Sequence, residues 1–129
     1  MLYQQQIIRQ ALLKEDNLVD LLSTAFYGSP WFSVSVDESF SHSIKPTSDC
    51  REEKWADVLK AGGKIRITDW EDDETQYDLS LDDIVKGIEK LSESHLHVYS
   101  RVMTFDGDAD FYDADAVIQF AIFGEWVYG

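Results

Sequence analysis

The fold of this chain is decided by residues 64–91, which read KIRITDWEDDETQYDLSLDDIVKGIEKL. Residues 64–70 alternate between apolar and polar, with Ile65 and Ile67 on one side. An acidic turn and a second short strand follow. This pattern predicts an antiparallel hairpin. Ser80 followed by Asp83 is typical of a helix start. From there apolar residues recur at i, i+3, i+4, i+7 and i+10, which predicts an amphipathic helix.

The remaining sequence predicts further helices and strands around this unit. Residues 4–26 have helical spacing, interrupted by the polar stretch 14–17, and Gly62 is suited to end a helix. The last helix is nearly apolar all round, so we expect it to be central. The other predicted elements are a helix over 50–61, strands over 31–36, 64–70, 76–79 and 95–105, and a last helix that starts near Asp113 and Asp115 and ends at Gly124. The chain is therefore predicted to be a single α+β domain, residues 1–129, with a small antiparallel sheet of three to five strands packed with about four helices.

Length and composition favour one domain inside the cell. The 129 residues are 44% hydrophobic, which is enough for one core. No apolar run approaches the roughly 18 residues of a transmembrane helix, and the N-terminal residues do not resemble a secretory signal. Cys50 is the only cysteine, so an internal disulfide is excluded. We expect a protein of a reducing cytoplasm that does not bind membranes.

Negative charge is concentrated in the second half of the chain. Residues 1–66 contain 9 Asp/Glu and 8 Lys/Arg, whereas residues 67–129 contain 16 Asp/Glu and only 3 Lys/Arg. A net charge of roughly 2 to 8 keeps a small domain in solution, and further charge costs stability through self-repulsion. The excess indicates a surface for a positively charged partner. It also argues against direct binding to nucleic acid.

Two acidic segments are the candidate partner surface. Carboxylates along a rigid edge can imitate the phosphates of DNA and occupy a groove lined by Arg and Lys. Trp70 and Tyr77 are candidate aromatic anchors, because such residues are frequent at interface hot spots. The alternative for the first segment is an ordinary solvated turn. The candidate acidic residues are Asp69, Glu71, Asp72, Asp73, Glu74, Asp78, Asp106, Asp108 and Asp110.

Other motifs do not complete a metal or catalytic site. Residues 106–110, DGDAD, begin like a calcium loop, but Phe111 stands where Gly is needed and Val117 where Glu is needed. His95 and His97 would point the same way on a strand, but no third ligand lies nearby in sequence. Phosphate-binding loops and hydrolase motifs are also missing. We therefore expect no cofactor, no metal site and no enzymatic activity.

Three stretches resemble small acidic proteins encoded by phages and integrated elements of intestinal bacteria. They are residues 17–26 (NLVDLLSTAF), residues 55–59 (WADVL) leading to Gly62-Gly63, and residues 113–125 (DADAVIQFAIFGE). The resemblance implies a bacterial host and a protein that blocks host defences by imitating DNA before a CRISPR nuclease or restriction enzyme. It implies no functional residues.

The leading hypothesis is thus a non-enzymatic inhibitor that binds a basic, nucleic-acid-handling host protein. A second hypothesis is an assembly protein that forms a homodimer through its apolar last helix, with Trp126 and Tyr128. A third is a domain that binds a small ligand or a divalent metal at its acidic loops.

Overall fold

The computed structural model describes residues 2–26, 32–36, 51–69, 75–105 and 109–127. Within them, six helices and a three-stranded antiparallel sheet form a single small α+β domain, which confirms the predicted fold class. The elements are α1 (Leu2–Leu13), α2 (Asn17–Phe26), β1 (Phe32–Val36), α3 (Arg51–Lys60), β2 (Lys64–Asp69), β3 (Gln76–Ser80), α4 (Leu81–Ser94), α5 (Leu96–Thr104) and α6 (Phe111–Phe123).

The sheet has one buried and one exposed face, as the alternation in residues 64–70 predicts. Its order is β1-β2-β3, so that β2 is central and pairs with both neighbours in antiparallel register. Ile65, Ile67 and Leu79 are fully buried on the inner face. Arg66 and Asp78 form a register pair on the opposite, exposed face. The predicted hairpin is confirmed, and its exposed side is polar.

Helix α4 begins with the capping box that the sequence indicates. The Ser80 hydroxyl accepts a hydrogen bond from the Asp83 N–H at 3.2 Å, and the Asp83 carboxylate accepts one from the Ser80 N–H at 3.0 Å. Two backbone donors that the helix cannot satisfy are thereby paired. Ile84, Ile88 and Leu91 are fully buried along the apolar stripe, so α4 is fixed at its start and along one side.

Helix α6 is the centre of the domain, as its apolar composition predicts. All eight residues from Asp113 to Phe120 are buried. The helix packs mainly against α4 and α2. The helix begins earlier than expected, at Phe111 with Asp110 as its N-cap, and Gly124 ends it in the left-handed conformation at φ 76°.

The prediction of a strand over 95–105 is wrong, because Leu96–Thr104 form α5. Val98 and Val102 are both buried and lie four residues apart, which places them on one side of a helix. β-Branched residues in a short apolar run fit a strand equally well. Here the segment contacts both α4 and α6, and this packing favours the helix. Leu96, the first residue of the helix, is 63% exposed.

Candidate functional site

Most of the predicted acidic surface lies outside the described residues. This applies to Trp70, Glu71, Asp72, Asp73, Glu74, Asp106 and Asp108. The described members are Asp69, Tyr77, Asp78 and Asp110. They lie next to the parts of the two acidic segments that are not described. Their surroundings show how each segment is attached to the domain.

Among the described residues of the hairpin, one candidate acid, Asp78, is exposed. Asp69 is only 5% exposed, and its N–H donates to the Thr75 carbonyl oxygen at 3.2 Å, so it belongs to the base of the hairpin. Asp78 is exposed, and its Oδ1 accepts a hydrogen bond from Arg66 Nε at 3.3 Å. Arg66 partly neutralises Asp78, although such an exposed pair contributes little to stability.

Tyr77 attaches the hairpin to the central helix. Its half-buried ring meets the Phe123 ring edge-on, with centroids 5.3 Å apart. An aromatic pair of this kind contributes about 1 kcal/mol beyond the area it buries. The ring of Tyr77 therefore stabilises the fold from a position where the sequence predicts a partner anchor.

Asp110 combines exposure with a structural role at the start of α6. Its carboxylate accepts a hydrogen bond from the Asp113 N–H at 2.9 Å, and the Asp113 carboxylate accepts one from the Asp110 N–H at 3.3 Å. A negative charge at this position also interacts favourably with the positive end of the helix dipole. Asp110 is thus part of the N-terminus of α6.

The described residues that adjoin the two acidic segments lie at opposite ends of α6. Tyr77, just after the hairpin tip, contacts Phe123 at the last turn of the helix, whereas Asp110 caps the first turn. The 13 residues of α6 span about 20 Å at a rise of about 1.5 Å per residue. The described residues beside the two segments, Tyr77 and Asp110, are therefore separated by the length of this helix.

Asp113 binds Arg101, which is one of the three Lys and Arg residues in the stretch 67–129. Arg101 donates from Nε to Asp113 Oδ2 at 2.7 Å and from Nη2 to Oδ1 at 2.8 Å, a bidentate pair that joins α5 to α6. Asp113 is 3% exposed. The Arg101 hydrogen bonds lower the pKa of the Asp113 carboxyl, against the effect of burial, and the Asp110 N–H lowers it further. The same hydrogen bonds raise the pKa of Arg101.

Replacing Asp113 by Asn should cost about 2 kcal/mol of unfolding free energy at pH 7, because two charge-assisted hydrogen bonds lose their anion. The folded-state pKa of Asp113 lies below the unfolded value of about 3.9, so this contribution is complete above that value and is lost as pH falls through the folded pKa. Urea unfolding should therefore show a constant difference between wild type and Asp113→Asn from pH 7 to about pH 5, and a smaller one at pH 3.

The matched control is Asp78→Asn, which removes the carboxylate of the exposed Arg66 pair. Exposed pairs contribute about 0 to 1 kcal/mol, so this variant should stay close to wild type at both pH values. An Asp113→Asn variant no less stable than Asp78→Asn would contradict the structural role of the buried pair.

A pocket of about 300 Å³ lies between α2, the end of α5 and the start of α6. The floor and wall include Leu21, Val102 and Ala114, all buried, with Phe105 and Ala109 beside them. Polar groups lie at Asp20, Ser23, Thr24 and Arg101. Sequence patterns did not reveal this site, because its residues come from three distant segments and match no motif.

Comparison with protein-family models, curated proteins and solved structures found no match. No functional residue can therefore be transferred to this chain from another protein. In the part of the chain that the structure describes, no helix is long and apolar enough to cross a membrane.

His95 and His97 lie close together at the start of α5. His95 links α4 to α5, and its ring lies edge-on to Phe120 and Trp126, with centroids 5.5 and 5.6 Å away. The ring centroids of His95 and His97 are 6.4 Å apart. Across the described ranges, no group of three or more His, Cys, Asp or Glu side chains is arranged to hold a metal ion. The DGDAD segment is only partly described.

The central apolar residues of α6 face the interior of the domain. Ala114, Val117 and Ile118 are fully buried within the chain, and Phe120 is 6% exposed. Trp126 is 36% exposed, and Tyr128 lies outside the described residues. A dimer contact on this helix would therefore have to use its exposed or half-buried residues, such as Tyr112, which is 65% exposed.

Proposed function

We propose that the chain is a non-enzymatic inhibitor that binds a basic, nucleic-acid-handling protein through the two acidic segments. The observation that carries this proposal is the surplus of 16 acids over 3 bases after residue 66. One of those bases, Arg101, is already held by Asp113, so it does not neutralise the surface. Such a surplus costs stability through self-repulsion, which a basic partner would relieve.

The positions of the described acids support a negative surface comparable in length to a short stretch of duplex DNA. Asp78 and Asp110 are exposed near the ends of α6, and about 20 Å separates those ends. Duplex DNA covers this distance with about six base pairs, since it carries one charge per roughly 1.7 Å of axis. Glu71, Asp72, Asp73 and Glu74 would form one end of the surface, and Asp106, Asp108 and Asp110 the other.

Inhibition would follow from occupancy of the partner's nucleic-acid groove. Carboxylates would take the place of phosphates on Arg and Lys side chains, so that DNA could no longer bind. Association would be fast and would weaken steeply with salt. In its most specific form, the proposal places the chain in the cytoplasm of a bacterial host, where the target is a CRISPR effector or a restriction enzyme.

The proposal is tested by reversing the charge of the hairpin tip. Tagged wild-type protein would capture partners from bacterial lysate at low salt, and those released by high salt would be identified and purified. Changing Glu71, Asp72, Asp73 and Glu74 to Lys should weaken binding to a captured nuclease by about 100-fold, because like charges then face each other across the interface. The same nuclease should lose DNA binding when wild-type protein is added.

A second variant separates a local surface from the effect of net charge. Glu15, Asp16, Glu53 and Glu93 lie on helices or turns outside the acidic segments, and their replacement by Lys changes the net charge equally. This control should retain most of the affinity. Equal loss in both variants, or no salt-sensitive nucleic-acid-binding protein in the captured set, would overturn the proposal.

A further inference from the structure

We infer that the pocket between α2, α5 and α6 binds an organic ammonium group carried on an apolar stem. The pocket volume of about 300 Å³ is at the lower end of the range for small-molecule sites. The described lining of the pocket includes Ala109 of the second acidic segment but none of the candidate carboxylates, so this inference does not depend on the proposed function.

The wall of the pocket is suited to an apolar stem. Leu21 is 6% exposed and Val102 2%, while Ala114 is fully buried, so a rigid apolar surface lies under the opening. Burial of a methylene group against such a surface is favourable by about 0.8 kcal/mol. Phe105 adds an aromatic side chain, a group that attracts cations through its negative face.

Phe105 is held in an unusual backbone conformation at this site. It caps the C-terminus of α5 with φ 51° and ψ 35°, in the left-handed region that bulky residues rarely adopt. This conformation costs about 1 to 2 kcal/mol relative to the right-handed one. The surrounding packing maintains it, and such retained strain is concentrated at ligand sites.

The charges around the pocket favour a cation. Arg101 is its positive residue, and Asp113 already engages that guanidinium with two hydrogen bonds. Asp20 is an exposed lining residue, and within the described ranges its carboxylate has no ion-pair partner. The hydroxyl group of Ser23 provides a further hydrogen-bond acceptor nearby. A carboxylate beside an aromatic and apolar wall is the chemistry that recognises an alkylammonium group.

The test is an NMR titration of the full chain with n-pentylammonium, 1-pentanol and pentanoate. The amide signals of residues 20–24 and 101–105 should shift with the amine. Its affinity should exceed that of either other probe by about fivefold, since only the amine can form an ion pair with the carboxylate. Equal affinity for 1-pentanol, or shifts confined to other parts of the chain, would overturn the inference.

Two matched variants assign the charge to one side chain. Asp20→Asn should weaken amine binding about fivefold, the effect of a partly exposed ion pair. Asp16→Asn removes an equal charge four residues away, outside the pocket lining, and should leave affinity within about twofold. Equal effects of the two variants would contradict a site at Asp20.

A further titration distinguishes two sources of the ammonium group. The probe is the peptide acetyl-Gly-Lys-Gly-amide, whose lysine carries the same group on a four-carbon stem. Binding of both probes at residues 20–24 and 101–105 would identify a lysine-bearing protein as a ligand source, whereas binding of the free amine alone would identify a small metabolite. Failure of both probes to bind there would refute the inference.

Discussion

Gly87→Ala should lower the unfolding free energy by roughly 3 kcal/mol, although alanine is the better helix former. A Cβ atom added at Gly87 would lie 2.7 Å from Ala121 N, 2.9 Å from Ala121 Cα and 3.1 Å from Phe120 C. These are backbone atoms of α6, which cannot move aside as a side-chain end can. Alanine has a helix propensity about 1 kcal/mol better than that of glycine. This gain is outweighed because α4 and α6 must move apart to make room for the Cβ atom. Urea unfolding at pH 7 measures the difference.

Gly124→Ala is the matched control for this substitution. Gly124 also has a close neighbour, at 2.7 Å, but that neighbour is the flexible Lys90 Nζ. Because Gly124 has a left-handed backbone conformation, Gly124→Ala should lower the unfolding free energy by about 1 kcal/mol. Ala121→Gly should not rescue Gly87→Ala, because the contact atoms remain. A Gly87→Ala protein at least as stable as wild type would show that α4 and α6 do not approach this closely.

Gln119→Met should cost about 2 to 3 kcal/mol, since it keeps the side-chain volume but removes the amide. Gln119 is fully buried, and its Nε2 donates to Asp115 Oδ2 at 2.7 Å. Its Oε1 accepts from the Val127 N–H at 2.9 Å, which ties the segment after α6 to the helix. Asp115 is 7% exposed, so the loss of a donor to its carboxylate is not compensated by bulk water.

The readouts for Gln119→Met are urea unfolding and hydrogen exchange at Val127. Exchange at that amide should become faster, because its acceptor is lost. Gln5→Met is the control, since Gln5 donates to Glu89 Oε1 at 3.1 Å in a half-buried setting where water can substitute. It should cost less than 1 kcal/mol. Unchanged exchange at Val127 in Gln119→Met would contradict the role assigned to the amide.

The hairpin and α4 are predictable from sequence because local and tertiary signals agree there. Ile65 and Ile67 alternate with polar residues, and Ser80 with Asp83 forms the capping box that the spacing indicates. Helix α5 is not predictable in the same way. Val98 and Val102 suit either a strand or a helix, and the neighbouring helices decide between them.

The candidate sites follow from sequence only in part. Charge counting identifies the acidic segments, but only tertiary contacts, such as that of Tyr77 with Phe123, show that the described residues beside them lie at opposite ends of α6. Burial of Asp69 could not be inferred from the charge pattern, since acids in strands are usually exposed. The pocket depends on α2, α5 and α6 meeting in space, and no local pattern encodes that meeting.

The central position of α6 has a consequence for biosynthesis. It is the last of the described elements to leave the ribosome, yet α2 and α4 bury their apolar residues against it. Nascent chains that stop before residue 111 must expose those residues to solvent, where chaperones and proteases act on such surfaces. Closure of this core therefore has to wait until the segment containing α6 has been translated.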